Sequence, residues 1–231
     1  MAHRVCPWWL GYFLLGPFRK RSQNPHAILS PYIREGMTVL EPGPGMGFFT
    51  PELAQLVGES GRVVCVDVQP KMIDKLKRRI AQQGLDGRVD ARIAPADSMG
   101  LADLKDAVDF TLAFAVVHEF PDAGRFFAEV ASASRSGGIL LLAEPCGHVK
   151  QRHFDDELQA AAKAGFAVVE RPAIRPSHAA LLKRGKAWSA IGRVARSRPP
   201  TMSETTGSAV AICVKLGASL CKGIPLRYTL A

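Results

Sequence analysis

From Thr38 to Leu182 the chain alternates short apolar runs with stretches of helical period, and this alternation limits the folds open to it. Strand candidates are Thr38–Pro42, Arg62–Asp67, Val89–Ala94, Asp109–Val116 and Ile139–Ala143. Between them lie helical patterns at Phe49–Val57, Pro70–Gln83 and Pro121–Ser134, the last with Pro121 and Asp122 in its first turn. In Pro70–Gln83 the apolar Met72, Ile73, Leu76 and Ile80 recur at helical spacing among Lys71, Lys75, Arg78 and Arg79, so one face is buried and one solvated. The run Arg62–Asp67 (RVVCVD) is almost continuously apolar, as parallel strands covered on both faces tend to be. Gly137-Gly138 read as a turn into Ile139–Ala143. A helix over Phe154–Ala164, with Asp155, Asp156 and Glu157 in its first turn, precedes two closing strands, Ala167–Ile174 and His178–Leu182. A short Pro-containing link cannot carry a parallel crossover, so that pair is expected to be an antiparallel hairpin. Strand–helix units in series imply helices on both faces of one sheet. The expected architecture is α/β: a doubly wound, seven-stranded, mostly parallel sheet closing with an antiparallel hairpin.

The segment that carries chemistry is Val39-Leu40-Glu41-Pro42-Gly43-Pro44-Gly45-Met46-Gly47. Glycines at alternate positions between a strand and a helix let the backbone turn sharply and let a ligand approach with no Cβ in the way. The spacing is GxGxG rather than the GxGxxG of pyrophosphate binding. Glu41 would repel a pyrophosphate and attract a cationic group. Asp67, at the end of the second strand, can accept both hydroxyls of a ribose. Asp97 in Ala96-Asp97-Ser98-Met99 is placed to take an adenine amino group. Each feature has a plainer reading as well: a ligand-free glycine turn, a strand-end Asp that caps the next helix, and an N-cap for Asp97.

The excess of 30 basic over 21 acidic residues, net +9, raises nucleic acid as a partner. The charge sits at the ends. Residues 1–36 carry five basic and one acidic residue, residues 186–231 seven and one, and residues 37–185 eighteen and nineteen. A near-neutral middle argues against a nucleic-acid interface there. The dispersed Cys6, Cys65, Cys146, Cys213 and Cys221 suit a reducing compartment. The stretch Val5–Phe18 is shorter than the ~20 residues a membrane span needs, and a cytoplasmic location is expected. The same stretch holds Trp8 and Trp9 and runs into Arg19-Lys20-Arg21. It reads as a lid, a packing or dimer arm, or a weak membrane-surface foot. The expected organisation is thus an aromatic and basic arm (1–24), a domain (25–185) and a basic, poorly ordered tail (186–231), with the oligomeric state left open.

Over residues 25–184 the ordered series VLEPGPGMG, VVCVD, ADSMGL, DFTLAFAVVHEF and SGGILLLAEP, followed by a closing hairpin, resembles the class I S-adenosylmethionine-dependent methyltransferases. The likeness is greatest to small-molecule enzymes such as the quinone-biosynthesis C-methylases. The resemblance implies a Rossmann-like methyltransferase fold with S-adenosylmethionine as cofactor and a small, apolar or aromatic acceptor. It places Gly43, Gly45, Gly47 and Ala113 beside the methionine part of the cofactor, and Glu41 toward its amino group. Asp67 would hold the ribose, Val68 would lie against the adenine face, and Asp97 and Ser98 would read the adenine edge. His118 and Glu119, after the fourth strand, are the candidates for proton removal or acceptor positioning, and Cys146 and His148 are secondary ones. No metal-ligand spacing is present. The rival readings are an RNA-binding or RNA-modifying protein using the basic ends, a cofactor-binding protein without activity, and a plain NAD-binding domain.

Overall fold

The computed structural model describes residues 23–95 and 98–185. The expectations for the arm (1–24, save its last two residues), the tail (186–231) and Asp97 lie outside these residues. The strands are β1 (Thr38–Pro42), β2 (Arg62–Asp67), β3 (Val89–Ile93), β4 (Val108–Phe114), β5 (Ser134–Pro145), β6 (Phe166–Glu170) and β7 (Ser177–Arg184). The helices are α1 (Pro25–Leu29), α2 (Thr50–Leu56), α3 (Pro70–Ala81), α4 (Ala123–Ala133) and α5 (Gln151–Lys163). The sheet order is β3-β2-β1-β4-β5-β7-β6. The first five strands are parallel, and β7 pairs antiparallel with both β5 and β6. This is the doubly wound, seven-stranded architecture expected from the alternation, hairpin included.

Side-chain parity along the strands divides the core into two layers. Leu40, Val64, Val66, Ala113, Leu140 and Leu142 face one side, where Phe126, Phe127 and Val130 of α4 and Phe154 and Leu158 of α5 pack. Val39, Val63, Cys65, Leu112 and Leu141 face the other, against Leu29 of α1, Leu53 of α2 and Ile73, Leu76 and Ile80 of α3. Each fully buried aliphatic side chain of this kind contributes ~1.5–3 kcal/mol.

Several ends differ from the expected ones. β4 stops at Phe114 rather than Val116, because Ala115 takes φ +55, a left-handed conformation that turns the chain. Gly137 and Gly138 lie inside β5, where a register shift between Val108 and Phe110 absorbs them. A Cβ on Gly138 would meet two backbone carbonyls at 3.0 Å, so glycine lets the strand run on through the bulge. Asp122 is the N-cap of α4, not part of its first turn, and its carboxylate accepts from the Arg125 backbone N–H at 3.2 Å. α5 begins three residues early, at Gln151, which moves Asp155, Asp156 and Glu157 into its second turn. β6 ends at Glu170, ahead of Pro172, which has no N–H to offer a ladder. Helix α1, capped by the side chain of Asn24, was not foreseen.

Candidate functional site

A cavity of about 530 Å³ opens at the carboxyl ends of β1, β2 and β4, where ligands of open α/β sheets bind. Gly43, Gly45 and Gly47 hold φ +62, +57 and +79. A Cβ on Gly43 would collide with the Val116 side chain, and one on Gly47 would lie 2.5 Å from Leu76 Cδ1 of α3. Gly45 faces open space, with nothing within 4 Å of its absent Cβ. Gly43 and Gly45 line the cavity and Gly47 does not. Gly47 packs the loop on α3.

Glu41 is 3% exposed and lines the cavity. Its Oε2 accepts from Thr50 Oγ1 at 2.6 Å and from Cys65 Sγ at 3.5 Å. Burial, then the nearby Glu41 charge, push the Cys65 thiol pKa well up, so this cysteine is an inert donor rather than a nucleophile. Asp67 lies at the end of β2 on the cavity wall. Its Oδ1 accepts from the Gln69 N–H at 2.8 Å. Burial raises its pKa, while hydrogen bonds from the backbone N–H groups of Gln69, Gly45 and Val68 pull it back. One carboxylate thus ties the glycine loop to the turn after β2. Val68, 42% exposed, forms part of the same wall. Ser98 also lines it. Its hydroxyl donates to Glu129 Oε2 at 3.2 Å, and the same oxygen accepts from the Met99 N–H at 2.7 Å.

Beyond β4 the wall is apolar, formed by Phe48, Phe49, Phe114, Val116 and Phe120. Phe49 and Phe114 meet at 4.6 Å between ring centres. Ala113 does not line the cavity. Strand alternation turns it into the opposite core layer, and Leu112, Phe114 and the left-handed Ala115 take the wall instead. The neighbours His118 and Glu119, in the single 3-10 turn Val117–Glu119, are separated too: Glu119 lines the cavity and His118 does not. His118 Nδ1 is bonded to Glu144 Oε2 behind the wall, and its ring meets the His148 ring edge-on at 6.3 Å. His148 and the exposed Cys146 stand outside the cavity. Among the described residues no group of three or more His, Cys, Asp or Glu could hold a metal ion, and no helix is long and apolar enough to cross a membrane.

Three participants escaped the sequence: Thr50, Glu129 and Glu144. Glu144 had a signal, because β5 ends in Leu142-Ala143-Glu144-Pro145 as β1 ends in Val39-Leu40-Glu41-Pro42. Each Glu-Pro marks a buried carboxylate at a strand end.

Residues 33–191 match the pattern of a family described as a methyltransferase domain. The chain is 30% identical over 136 residues to an arsenite methyltransferase of Halobacterium salinarum, covering 59% of this chain and 33% of that protein. It is 30% identical over 120 residues to the ubiquinone/menaquinone biosynthesis C-methyltransferase UbiE of Marinomonas sp., covering 52% of this chain and 47% of that one. The match thus spans a third to a half of these relatives' lengths. In fold it is similar to a SAM-dependent methyltransferase from Aquifex aeolicus, with TM-score 0.69 and 23% identity over 78% of this chain and 98% of the other.

Proposed function

We propose, because this chain belongs to the methyltransferase domain family, that it binds S-adenosylmethionine in the cavity and transfers the methyl group to a small apolar or aromatic acceptor. The observation that carries the reading is the cavity itself: left-handed glycines at its floor, a strand-end carboxylate at Asp67 and an aromatic far wall, all at the carboxyl edge of the sheet. The residues present suit the cofactor. Gly45 leaves room for close approach, since nothing stands where its Cβ would point. Glu41 sets a negative charge where a cationic amino group would sit. Asp67 faces a ribose, Val68 an adenine face, and Ser98, with Asp97 by resemblance, the adenine edge.

Bound there, S-adenosylmethionine would supply a methyl group on a positively charged sulfur. The chain's own contribution is then alignment of the acceptor behind that methyl group, and proximity of this kind supplies much of a displacement's rate. Phe48, Phe49, Phe114 and Phe120 give an apolar surface for the acceptor. A base is needed only where the acceptor atom carries a proton. Glu119 lines the cavity and is the residue in reach of that role. His118 takes a different one, developed below.

A thermal-shift panel tests the cofactor. S-adenosylhomocysteine should raise the melting temperature, and NAD and ATP should not; a ligand at a hundred times its Kd stabilises by about 2.7 kcal/mol. Stabilisation by NAD alone overturns the reading. Label transferred from methyl-labelled S-adenosylmethionine into a metabolite extract then tests the activity. Tight S-adenosylhomocysteine binding with no transfer would make the chain a binding protein instead.

A further inference from the structure

Behind the cavity wall lies a second polar cluster that the reaction, as described so far, does not use. Its centre is Glu144, at the end of β5, whose side chain is fully buried. Its Oε1 accepts from the Val116 N–H at 3.2 Å and the Val117 N–H at 2.8 Å. Its Oε2 is bonded to His118 Nδ1. All three donors belong to one stretch, residues 116–118, which leaves β4 along the cavity. A carboxylate buried this deeply is costly unless its lone pairs are filled. Here they are filled by two backbone N–H groups and a ring, through charge-assisted bonds that are stronger than neutral ones.

We propose that Glu144 is a positioning residue: from outside the cavity it fixes the backbone of residues 116–118 and thereby the places of Val116 and Glu119 on the acceptor side of the wall. This rests on the methyl-transfer reading above. A second feature at the same spot supports it. Ala115, one residue before the clamp, lines the cavity in a left-handed conformation, φ +55. A non-glycine residue held there costs of order 1–3 kcal/mol and persists only where its surroundings over-determine it. The Ala115 N–H bond to the Ala143 carbonyl at 2.7 Å and the Glu144 clamp immediately after it supply that constraint.

Two further titratable groups, Glu157 and His118, face Glu144. Glu157 of α5 is 7% exposed, and its Oε2 has no hydrogen-bond partner among the described residues. Burial, and then the charge of Glu144, push its pKa up to about 8, with His118 offsetting part of the rise. At neutral pH Glu157 therefore keeps its proton. Burial works against a charged His118, but the hydrogen bond and charge of Glu144, with Glu119 adding, outweigh it and raise the ring's pKa above the usual value.

The test compares Glu144→Gln and His118→Asn in the full chain. Three measurements are made: S-adenosylhomocysteine affinity by calorimetry, methyl transfer into the extract fraction that accepts label, and the titration of the His118 ring by NMR. In Glu144→Gln we expect cofactor affinity within about threefold of wild type and transfer slowed by about a hundredfold, the scale of a small misplacement of reacting groups. The His118 ring should titrate at lower pH. His118→Asn, which leaves two of the three bonds, should lose less than Glu144→Gln. Unchanged transfer in folded Glu144→Gln, or an unmoved His118 titration, overturns the proposal. So does a greater loss in His118→Asn, which would make the histidine a catalytic base and Glu144 its orienter. If Glu144→Gln does not fold, His118→Asn decides alone: a drop of about tenfold or less supports the clamp, and a drop of a hundredfold or more overturns it. If wild type transfers no label, it is the methyl-transfer reading that fails. The Val116 and Val117 amide resonances of Glu144→Gln then decide the clamp, which requires both to move.

Discussion

Asp67 accepts from the Gln69 N–H at 2.8 Å in the turn after β2 and still faces the cavity. Asp67→Ala should weaken S-adenosylhomocysteine binding by ~1–3 kcal/mol, the worth of hydrogen bonds to a charged group, as calorimetry would show. Glu157 gives a pH dependence whose sign can be worked out. Its folded-state pKa of about 8 lies above the ordinary value of 4.5, so the folded state binds the extra proton, and stability falls as pH rises through that window. His118, also raised, loses its contribution in the same direction above pH 6.5. Urea unfolding of wild type should therefore show falling stability from about pH 5 to pH 9. Glu157→Gln should flatten most of that slope and exceed wild type by ~1–3 kcal/mol at pH 9, since a pKa unit is worth ~1.4 kcal/mol. At this scale Glu41 and Asp67 were legible because strand and glycine turn frame them. Glu129 was not, because its donors lie 30–31 residues away in sequence, and Glu144, whose donors lie 26–28 residues away, was signalled only by its strand-end Glu-Pro. Ala113 and His118 stand off the cavity wall by one step of strand or turn parity, which residue identity alone does not reveal.

Elements were readable where a period ran unbroken. The buried face of α3, Met72, Ile73, Leu76 and Ile80, is the one its spacing predicts. β1 and β2 begin and end where their apolar runs do. Legibility failed where a long-range partner decides the end. β5 passes through Gly137-Gly138 because it bulges there, five of its steps (Ser134 to Ile139) facing two of β4 (Val108 to Phe110), and nothing local to those glycines says so. The junction of the glycine loop with α3 offers a test. Gly47→Ala would carry both a left-handed φ of +79 and a Cβ 2.5 Å from Leu76 Cδ1, and should cost ~1–3 kcal/mol in urea unfolding. Because Gly47 does not line the cavity, affinity for S-adenosylhomocysteine should fall far less than in Asp67→Ala.

For the whole molecule, the seven-stranded, mostly parallel sheet with its antiparallel end hairpin was the most legible property, because alternating units and one short final link leave few architectures. The net charge of +9 was the least informative, since the cavity belongs to a stretch with eighteen basic and nineteen acidic residues. Among the described residues, every side chain on the cavity wall falls between Glu41 and Glu129. A chain ending after Gly185 should therefore bind S-adenosylhomocysteine within about threefold of the full chain, a shift of less than ~1 kcal/mol. Loss of binding with the fold intact would bring residues 186–231 into the site. The register of β7 has a practical corollary. It runs against β5, pairing Ser177 with Pro145 and Lys183 with Ile139, so Gly185 emerges at the pole of the sheet opposite the cavity mouth. A fluorophore or surface tether spliced on there would sit far from arriving ligands, and an immobilised sensor built that way would present its mouth to solution.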